Sequence, residues 1–352
     1  MPIVQFTGTY TALVTPFGPD GSVDYDGLQR NIQFQIQQGI TGILPVGTTG
    51  ESPTLSTAEH NQVVARAREF AGEGCDIFAG AGSNATREAL GHCRHALNAG
   101  IDKVLLVDCY YNGPSSLELR REYYQALLDE LPELKVIIYV IPGRTGTAIS
   151  PVDIAILSGE YDRVIAVKEA TGDLERMAEE RSLMPEMSIM SGDDDKTFEM
   201  MQNPAIRANG VISVTSNIAP AAVSRMTRSL LEGDLDEARR LHDRLKPLFE
   251  LVTVKAQSER TLPSGRKVTV QDRFRNPLAV KTIMSVLGMP AGGCRRPLGK
   301  MTLEGVEKVR AALEQVHRDS REVLAPVESF YGVSLEKRLA DRELWAEAAY
   351  RD

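Results

Sequence analysis

The chain has 352 residues, 42% of them hydrophobic and 25% charged, an ordinary soluble globular composition. A net charge of −8 provides no basic face for phosphates and argues against nucleic acid as the main partner. Cys75, Cys93, Cys109 and Cys294 form no CxxC pair, the five histidines follow no metal-ligand spacing, and no apolar run is long enough to cross a bilayer, so a reducing cytoplasmic setting without disulfides, metal or membrane contact is expected.

The first segment, "MPIVQFTGTYTALVTPF", has no basic start before a long apolar core, so no signal peptide is expected. Eight short apolar runs then recur: "YTALVTPF", "GILPVG", "DIFAGAG", "KVLLVD", "KVIIYVIP", "VIAVKEA", "MSIMSG" and "GVISVT". Several are continuous rather than alternating, as strands buried on both faces of a parallel sheet are. Helical periods lie between them, as at Tyr25 to Gln38, Thr57 to Phe70, Ala85 to Ala99, Ser116 to Leu131 and Gly172 to Leu183. Capping residues stand before three helices: Ser56 and Thr57 before Glu59, Asn84 before Glu88, and Ser150 with Pro151 before Asp153. Eight strands alternating with helices and ending near Val214 predict an α/β fold, a (β/α)8 TIM barrel over residues 1–229, with a doubly wound sheet as the alternative.

Beyond it, Leu230 to Leu251, Leu278 to Leu287 and Leu303 to His317 read as helices of a C-terminal helical domain, residues 230–317. A β-hairpin insertion is expected near 254–274, where "PSG" separates two partly alternating polar arms. Residues 318–352 form a helical extension whose amphipathic pattern carries the sole tryptophan, Trp345, either covering an apolar patch or meeting another subunit.

In such a barrel, chemistry sits at the C-terminal ends of the strands. Strand six, "VIAVKEA", ends on Lys168. A lysine there points into a confined, dehydrated space, where loss of solvent disfavours the ammonium and leaves some neutral amine. A neutral amine can attack a ketone and form a Schiff base, whose iminium activates the neighbouring carbon. Taken alone, a lysine that leaves its strand for water is the commoner situation. Tyr139 lies one strand earlier at a comparable depth, so its phenol can face Lys168 and pass a proton. Thr48 and Thr49 in "GTTGES" offer hydroxyls and backbone amides for a carboxylate or a proton relay, although a plain tight turn has the same composition. Arg144 in "PGRTG" can hold a carboxylate by a two-pronged bond. Tyr110 and Tyr111 are adjacent and point opposite ways, so one can serve the site while the other packs or meets a neighbouring chain.

Two further motifs carry less. "GAGSNA", Gly80 to Ala85, matches a dinucleotide fingerprint, but on the third strand and without the acidic residue that should follow. "SGDDD", Ser191 to Asp195, has the acids for a magnesium site but no completing shell, and aspartates suit a helix N-terminus.

Taken in order, "GTTGES", "YYNGPS", "YVIPGRTG", "VKEATGDL" and "SGDD...GVISVTSN" resemble the dihydrodipicolinate synthase branch of the class I pyruvate aldolases, to which N-acetylneuraminate lyase is related. The resemblance runs from about Gly8 to His317, with "NPLAVK" fitting the C-terminal helical part. It implies condensation of pyruvate with aspartate-4-semialdehyde on the way to lysine and diaminopimelate. No cofactor is implied beyond a covalent Schiff base on Lys168, and the expected assembly is a homotetramer or a homodimer. By the same resemblance, Tyr139 is the general acid/base, Thr48 the relay and Tyr111 a residue donated across a tight dimer. Thr49, Arg144, Gly192 and Ile212 would bind substrate. Ser52, His60, Asn84, Glu88 and Tyr110 match a regulatory lysine site. The alternative is a lyase for N-acetylneuraminate or another 2-keto-3-deoxy acid, though such relatives generally lack an arginine at the place of Arg144. Val140 stands where the family usually has asparagine, "DCYYN" replaces "TPYYN", the loop before strand eight is longer, and the hairpin and tail are extra.

Overall fold

The computed structural model describes residues 6–350. Parallel strands β1 (Gly8–Ala12), β2 (Gly42–Leu44), β3 (Asp76–Ile77), β4 (Ala79–Gly80), β5 (Lys103–Val107), β6 (Lys135–Val140), β7 (Val164–Glu169), β8 (Ser188–Ser191) and β9 (Gly210–Ser213) form one sheet. Its order is β3-β2-β1-β9-β8-β7-β6-β5-β4. The two end strands are consecutive pieces of one barrel strand interrupted at Phe78, so the sheet closes on itself. Across that junction Phe78 N–H donates to the Ile43 carbonyl at 3.2 Å and Ala81 N–H to that of Leu105 at 3.0 Å. The fold is therefore the expected (β/α)8 barrel.

Strand alternation decides what fills it. Tyr10, Ala12, Leu44, Phe78, Leu105, Ile137, Tyr139, Ala166, Met190 and Ile212 make the interior core. The opposite faces pack under the helices, with Ile43, Val104, Ile138 and Val167 among the residues of that larger core.

The barrel helices fall close to the expected spans. Ser56 and Glu59 form a reciprocal capping box at Thr57–Ala71, and Ser150 accepts from Asp153 N–H at Pro151–Glu160. Two expectations need correction. Helix Thr86–Asn98 starts from Ala85 without a side-chain cap, so Asn84 lies outside the capping position. The helix expected from Leu230 to Leu251 is two helices, Pro220–Glu232 and Leu235–Phe249. Gly233, at φ 80°, ends the first in left-handed backbone, and Asp234 caps the second through Glu237 N–H.

The hairpin forms as β10 (Thr253–Thr261) and β11 (Lys267–Arg275), paired antiparallel along their whole length. Helices Leu278–Leu287 and Leu303–Asp319 follow, and the tail folds as Arg321–Tyr331, Leu335–Ala340 and Arg342–Glu347. The tail packs within its own chain. Trp345 is buried in the C-terminal core, and Tyr331, whose ring meets that of Phe34 at a tilt, centroids 5.2 Å apart, donates its hydroxyl to Asn31 Oδ1 at 2.9 Å on helix Tyr25–Gln37. Among the described residues no helix is long and apolar enough to cross a membrane.

Candidate active site

Strand register brings the two central residues together. Tyr139 on β6 pairs directly with Lys168 on β7. Each stands two residues beyond an interior side chain, Ile137 and Ala166, so each points inward as the top layer of the core. Lys168 Nζ lies 4.3 Å from the centroid of the Tyr139 ring, and both side chains are buried. Burial pushes the Lys168 amine down to about 8, against upward pulls from Asp193 and Asp194 and a further downward push from Arg144. The Tyr139 phenol is pushed above its usual range by burial, while Arg144 and a hydrogen bond from Thr48 act in the opposite direction.

A cavity of about 270 Å³ opens above this pair, and its walls include Thr48, Thr49, Arg144, Gly192 and Asp193. Gly192 follows β8. A β-carbon there would stand 3.1 Å from Lys168 Cε and 2.8 Å from Ala170 Cβ, so only glycine leaves the lysine its place. Ile212 is fully buried in the barrel interior and does not line this cavity; Val214, two residues on, does. Asp193 faces Lys168 across the space, and burial and Asp195 push its carboxyl up to about 6 while Lys168 holds it down.

Asp194 and Asp195 stand, as expected, at a helix N-terminus, in the short turn Asp194–Lys196 that leads into helix Thr197–Gln202. Asp194 has a second role: Oδ2 accepts from Val214 N–H at 3.0 Å, Thr215 N–H at 2.9 Å and the Thr215 hydroxyl at 3.0 Å, joining the tops of β8 and β9. The glycines of "GAGSNA" also have a plain structural cause. A β-carbon on Gly80 would meet the Val46 carbonyl oxygen at 2.5 Å, and one on Gly82 would meet Val107 N at 2.5 Å. They allow barrel backbones to approach closely.

The C-terminal part supports the site from behind, which the sequence did not reveal. Asn276 donates from Nδ2 to Thr49 Oγ1 at 2.9 Å. Arg144 donates to the Asn276 carbonyl at 2.9 Å, and Arg275 returns a bond to the Gly143 carbonyl at 2.9 Å. Lys281 of "NPLAVK" pairs with Glu51 of "GTTGES" at 2.6 Å, both fully buried, and also donates to the carbonyls of Thr15 and Gly293 at 3.1 and 3.0 Å. Breaking such a pair would leave an uncompensated buried charge, so it fixes the turn that carries Thr48 and Thr49.

Ser52, His60, Glu88 and Tyr110 line a second cavity of about 420 Å³, which shares Thr48, Tyr139 and Arg144 with the first. Asn84 is not in that wall, but its backbone acts on the Tyr110 phenol, pulling it down against the upward push of burial. His92, which no sequence motif marks, stacks on His60 with ring centroids 4.1 Å apart. Burial and His92 push His60 down to about 4, so it is neutral at pH 7. Tyr111 is 90% exposed and held at φ 80°, a strained backbone for a bulky residue.

The pattern of the Dihydrodipicolinate synthetase family matches residues 5–316. A protein named 4-hydroxy-tetrahydrodipicolinate synthase from Methanococcus maripaludis is 37% identical over 309 residues, 88% of this chain and 98% of the relative. One of the same name from Methanothrix thermoacetophila is 38% identical over 316 residues, 89% and 97% of the two chains. The solved 4-hydroxy-tetrahydrodipicolinate synthase of Methylacidiphilum fumariolicum SolV superposes with a TM-score of 0.80 at 36% identity, covering 93% of this chain and 100% of that one. The chain belongs to the dihydrodipicolinate synthetase family.

Proposed function

We propose that this chain condenses pyruvate with aspartate-4-semialdehyde to 4-hydroxy-tetrahydrodipicolinate, in lysine and diaminopimelate biosynthesis. The observation that carries the reading is a buried lysine, its amine pushed down to about 8, in direct register with a buried tyrosine beneath a cavity that holds one arginine from the barrel. The names of the relatives point the same way.

The neutral Lys168 amine attacks the ketone carbon of pyruvate, and loss of one water gives the iminium. Removal of a C3 proton gives the enamine, whose C3 forms the new bond to the aldehyde carbon while the aldehyde oxygen takes up a proton. The substrate's own amino group then adds to the iminium carbon and expels Lys168, closing the ring. Water is lost once and the enzyme is restored. Tyr139 moves these protons. Arg144 lowers the cost of its phenolate, and Thr48 bonds the phenol oxygen as a relay. Thr49, oriented by Asn276, holds the pyruvate carboxylate with nearby backbone amides. Gly192 gives the lysine room, and Arg144 takes the carboxylate of the aldehyde.

Tyr111 has no place in its own chain's cavity, and we assign it to the site of a partner in a tight homodimer, itself half of a homotetramer. The cavity lined by Ser52, His60, Glu88 and Tyr110 is proposed to take lysine as a regulator. Turnover with pyruvate and a panel of aldehydes tests the reading. Aspartate-4-semialdehyde should be consumed in preference to N-acetylmannosamine and to neutral aldehydes. Preference for N-acetylmannosamine would replace it with the lyase reading.

A further inference from the structure

One wall of the reaction cavity comes from outside the barrel. Thr253, Arg273 and Arg275, at the root of the hairpin, line it together with Arg144. Alternation explains how they come to face it. Val254 and Ala256 are buried, and Phe274 packs with Val254 against the C-terminal helices. Residues one step away point to the other face. In the ladder Thr253 pairs with Arg275 and Lys255 with Arg273, so Lys255, Arg273 and Arg275 share the face opposite the apolar root. Further bonds hold that root: Gln257 N–H donates to Glu304 Oε2 at 2.8 Å, and Lys308 donates to the Lys255 carbonyl at 2.8 Å.

Charge is distributed unevenly along the hairpin. Near the tip it is neutralised, Arg260 pairing with Asp272 at 2.7 Å and Lys267 with Glu259 at 2.6 Å. At the root, among the described residues, Lys255, Arg273 and Arg275 have no carboxylate within ion-pair distance. Among the described residues, the only acidic side chain in the cavity wall is Asp193, on the Lys168 side. Arg273 and Arg275 add like charge beside Arg144, whose own charge is already disfavoured by burial. Three guanidiniums on one side of a small cavity are stabilised when an anion sits among them.

We propose that this hairpin face is an anion subsite of the acceptor aldehyde. Arg273, supported by Arg275 and Lys255, captures the aldehyde's carboxylate at the cavity mouth and delivers it to Arg144. The inference rests on the Schiff-base reading above and makes the hairpin a specificity element for anionic acceptors. Arg273 is the residue to change, because Arg275 also bonds the Gly143 carbonyl and its loss would disturb the Arg144 loop. Arg273 is exposed, and its substitution leaves the apolar root in place.

The test compares the full-length wild type with Arg273→Ala, Arg273→Glu and Arg273→Lys. Each is assayed for steady-state turnover of aspartate-4-semialdehyde at several salt concentrations, for borohydride trapping of pyruvate, and for its melting temperature. Arg273→Ala should raise KM for the aldehyde about three- to tenfold, as an exposed charge contact allows, with kcat within about twofold. Arg273→Glu should raise it further, and Arg273→Lys should restore most of it. The fall of wild-type kcat/KM with salt should flatten in Arg273→Ala, while trapping and melting stay unchanged. Unchanged KM and salt dependence in both Arg273→Ala and Arg273→Glu would overturn the subsite and leave the Schiff base standing. Loss of trapping or melting together with turnover would overturn it in favour of a structural hairpin. A wild type that traps pyruvate but ignores the semialdehyde would overturn the proposed acceptor and the subsite together.

Discussion

Tyr139 and Lys168 are register partners on adjacent parallel strands, with the lysine nitrogen 4.3 Å from the centre of the tyrosine ring. The pairing fixes both groups through rigid backbone rather than through loops, so the amine and the proton-transfer group keep one separation as substrates come and go.

The first prediction concerns pH. A lysine with an ordinary pKa near 10.4 is neutral in only about one molecule in 2,500 at pH 7, whereas one at about 8 is neutral in about one in ten. The rate of pyruvate imine formation should therefore rise with pH and level off above about pH 8. Asp193 favours the ammonium, so Asp193→Asn should move the inflection to lower pH. Stopped-flow imine formation across pH 6 to 10 measures both. An inflection near that of free lysine would contradict the buried-amine account.

A second prediction uses Gly192. Its missing β-carbon leaves 3.1 Å to Lys168 Cε, and the neighbouring obstacles include the Glu169 carbonyl at 2.9 Å, which cannot yield as a flexible side chain can. Gly192→Ala should displace the lysine and slow imine formation by an order of magnitude or more, since about 1.4 kcal/mol of misplacement is tenfold. The circular dichroism spectrum should remain that of the wild type.

Some of this was legible in the sequence for a physical reason. An apolar strand that ends on lysine is a local pattern, and alternation places its side chain without knowledge of any distant contact. The same holds for Tyr139 and for the hairpin. Gly233 followed by Asp234, with Glu237 three further on, was a readable stop and start that the uniform helical composition from Leu230 obscured. The bond from Asn276 to Thr49 and the Lys281–Glu51 pair were not legible. They join positions more than two hundred residues apart, and helix periodicity says nothing about which buried charge meets which. The cationic face of the hairpin needed the ladder register and the packing of Phe274 before its direction could be known.

Arg144 supplies a third prediction. Charge-assisted bonds to the aldehyde carboxylate are worth roughly 1.5–3 kcal/mol, so Arg144→Ala should lower kcat/KM for aspartate-4-semialdehyde by about 10- to 150-fold. Arg144→Lys should recover little, because one ammonium cannot reproduce the guanidinium fork. Pyruvate trapping should persist in both, since its carboxylate rests on Thr49. Unchanged turnover would remove the case for a carboxylated aldehyde.

Tyr111 supplies a fourth. It is 90% exposed at φ 80°, so its own chain gives no packing reason for the strain. Tyr111→Gly should match or exceed the wild type in melting temperature and yet lose most activity. Mixing inactive Tyr111→Phe with inactive Lys168→Ala subunits should restore part of the turnover if the tyrosine serves a partner's site. No recovery despite demonstrated subunit exchange would place its role within one chain.

The most direct test of the central claim is covalent. Pyruvate and borohydride added to the wild-type protein should reduce the iminium to a stable N-(1-carboxyethyl)lysine, and peptide mapping by mass spectrometry should find it on Lys168 alone, with none formed in Lys168→Ala. A label on another lysine, or none under conditions where the enzyme turns over, would contradict the Schiff-base account.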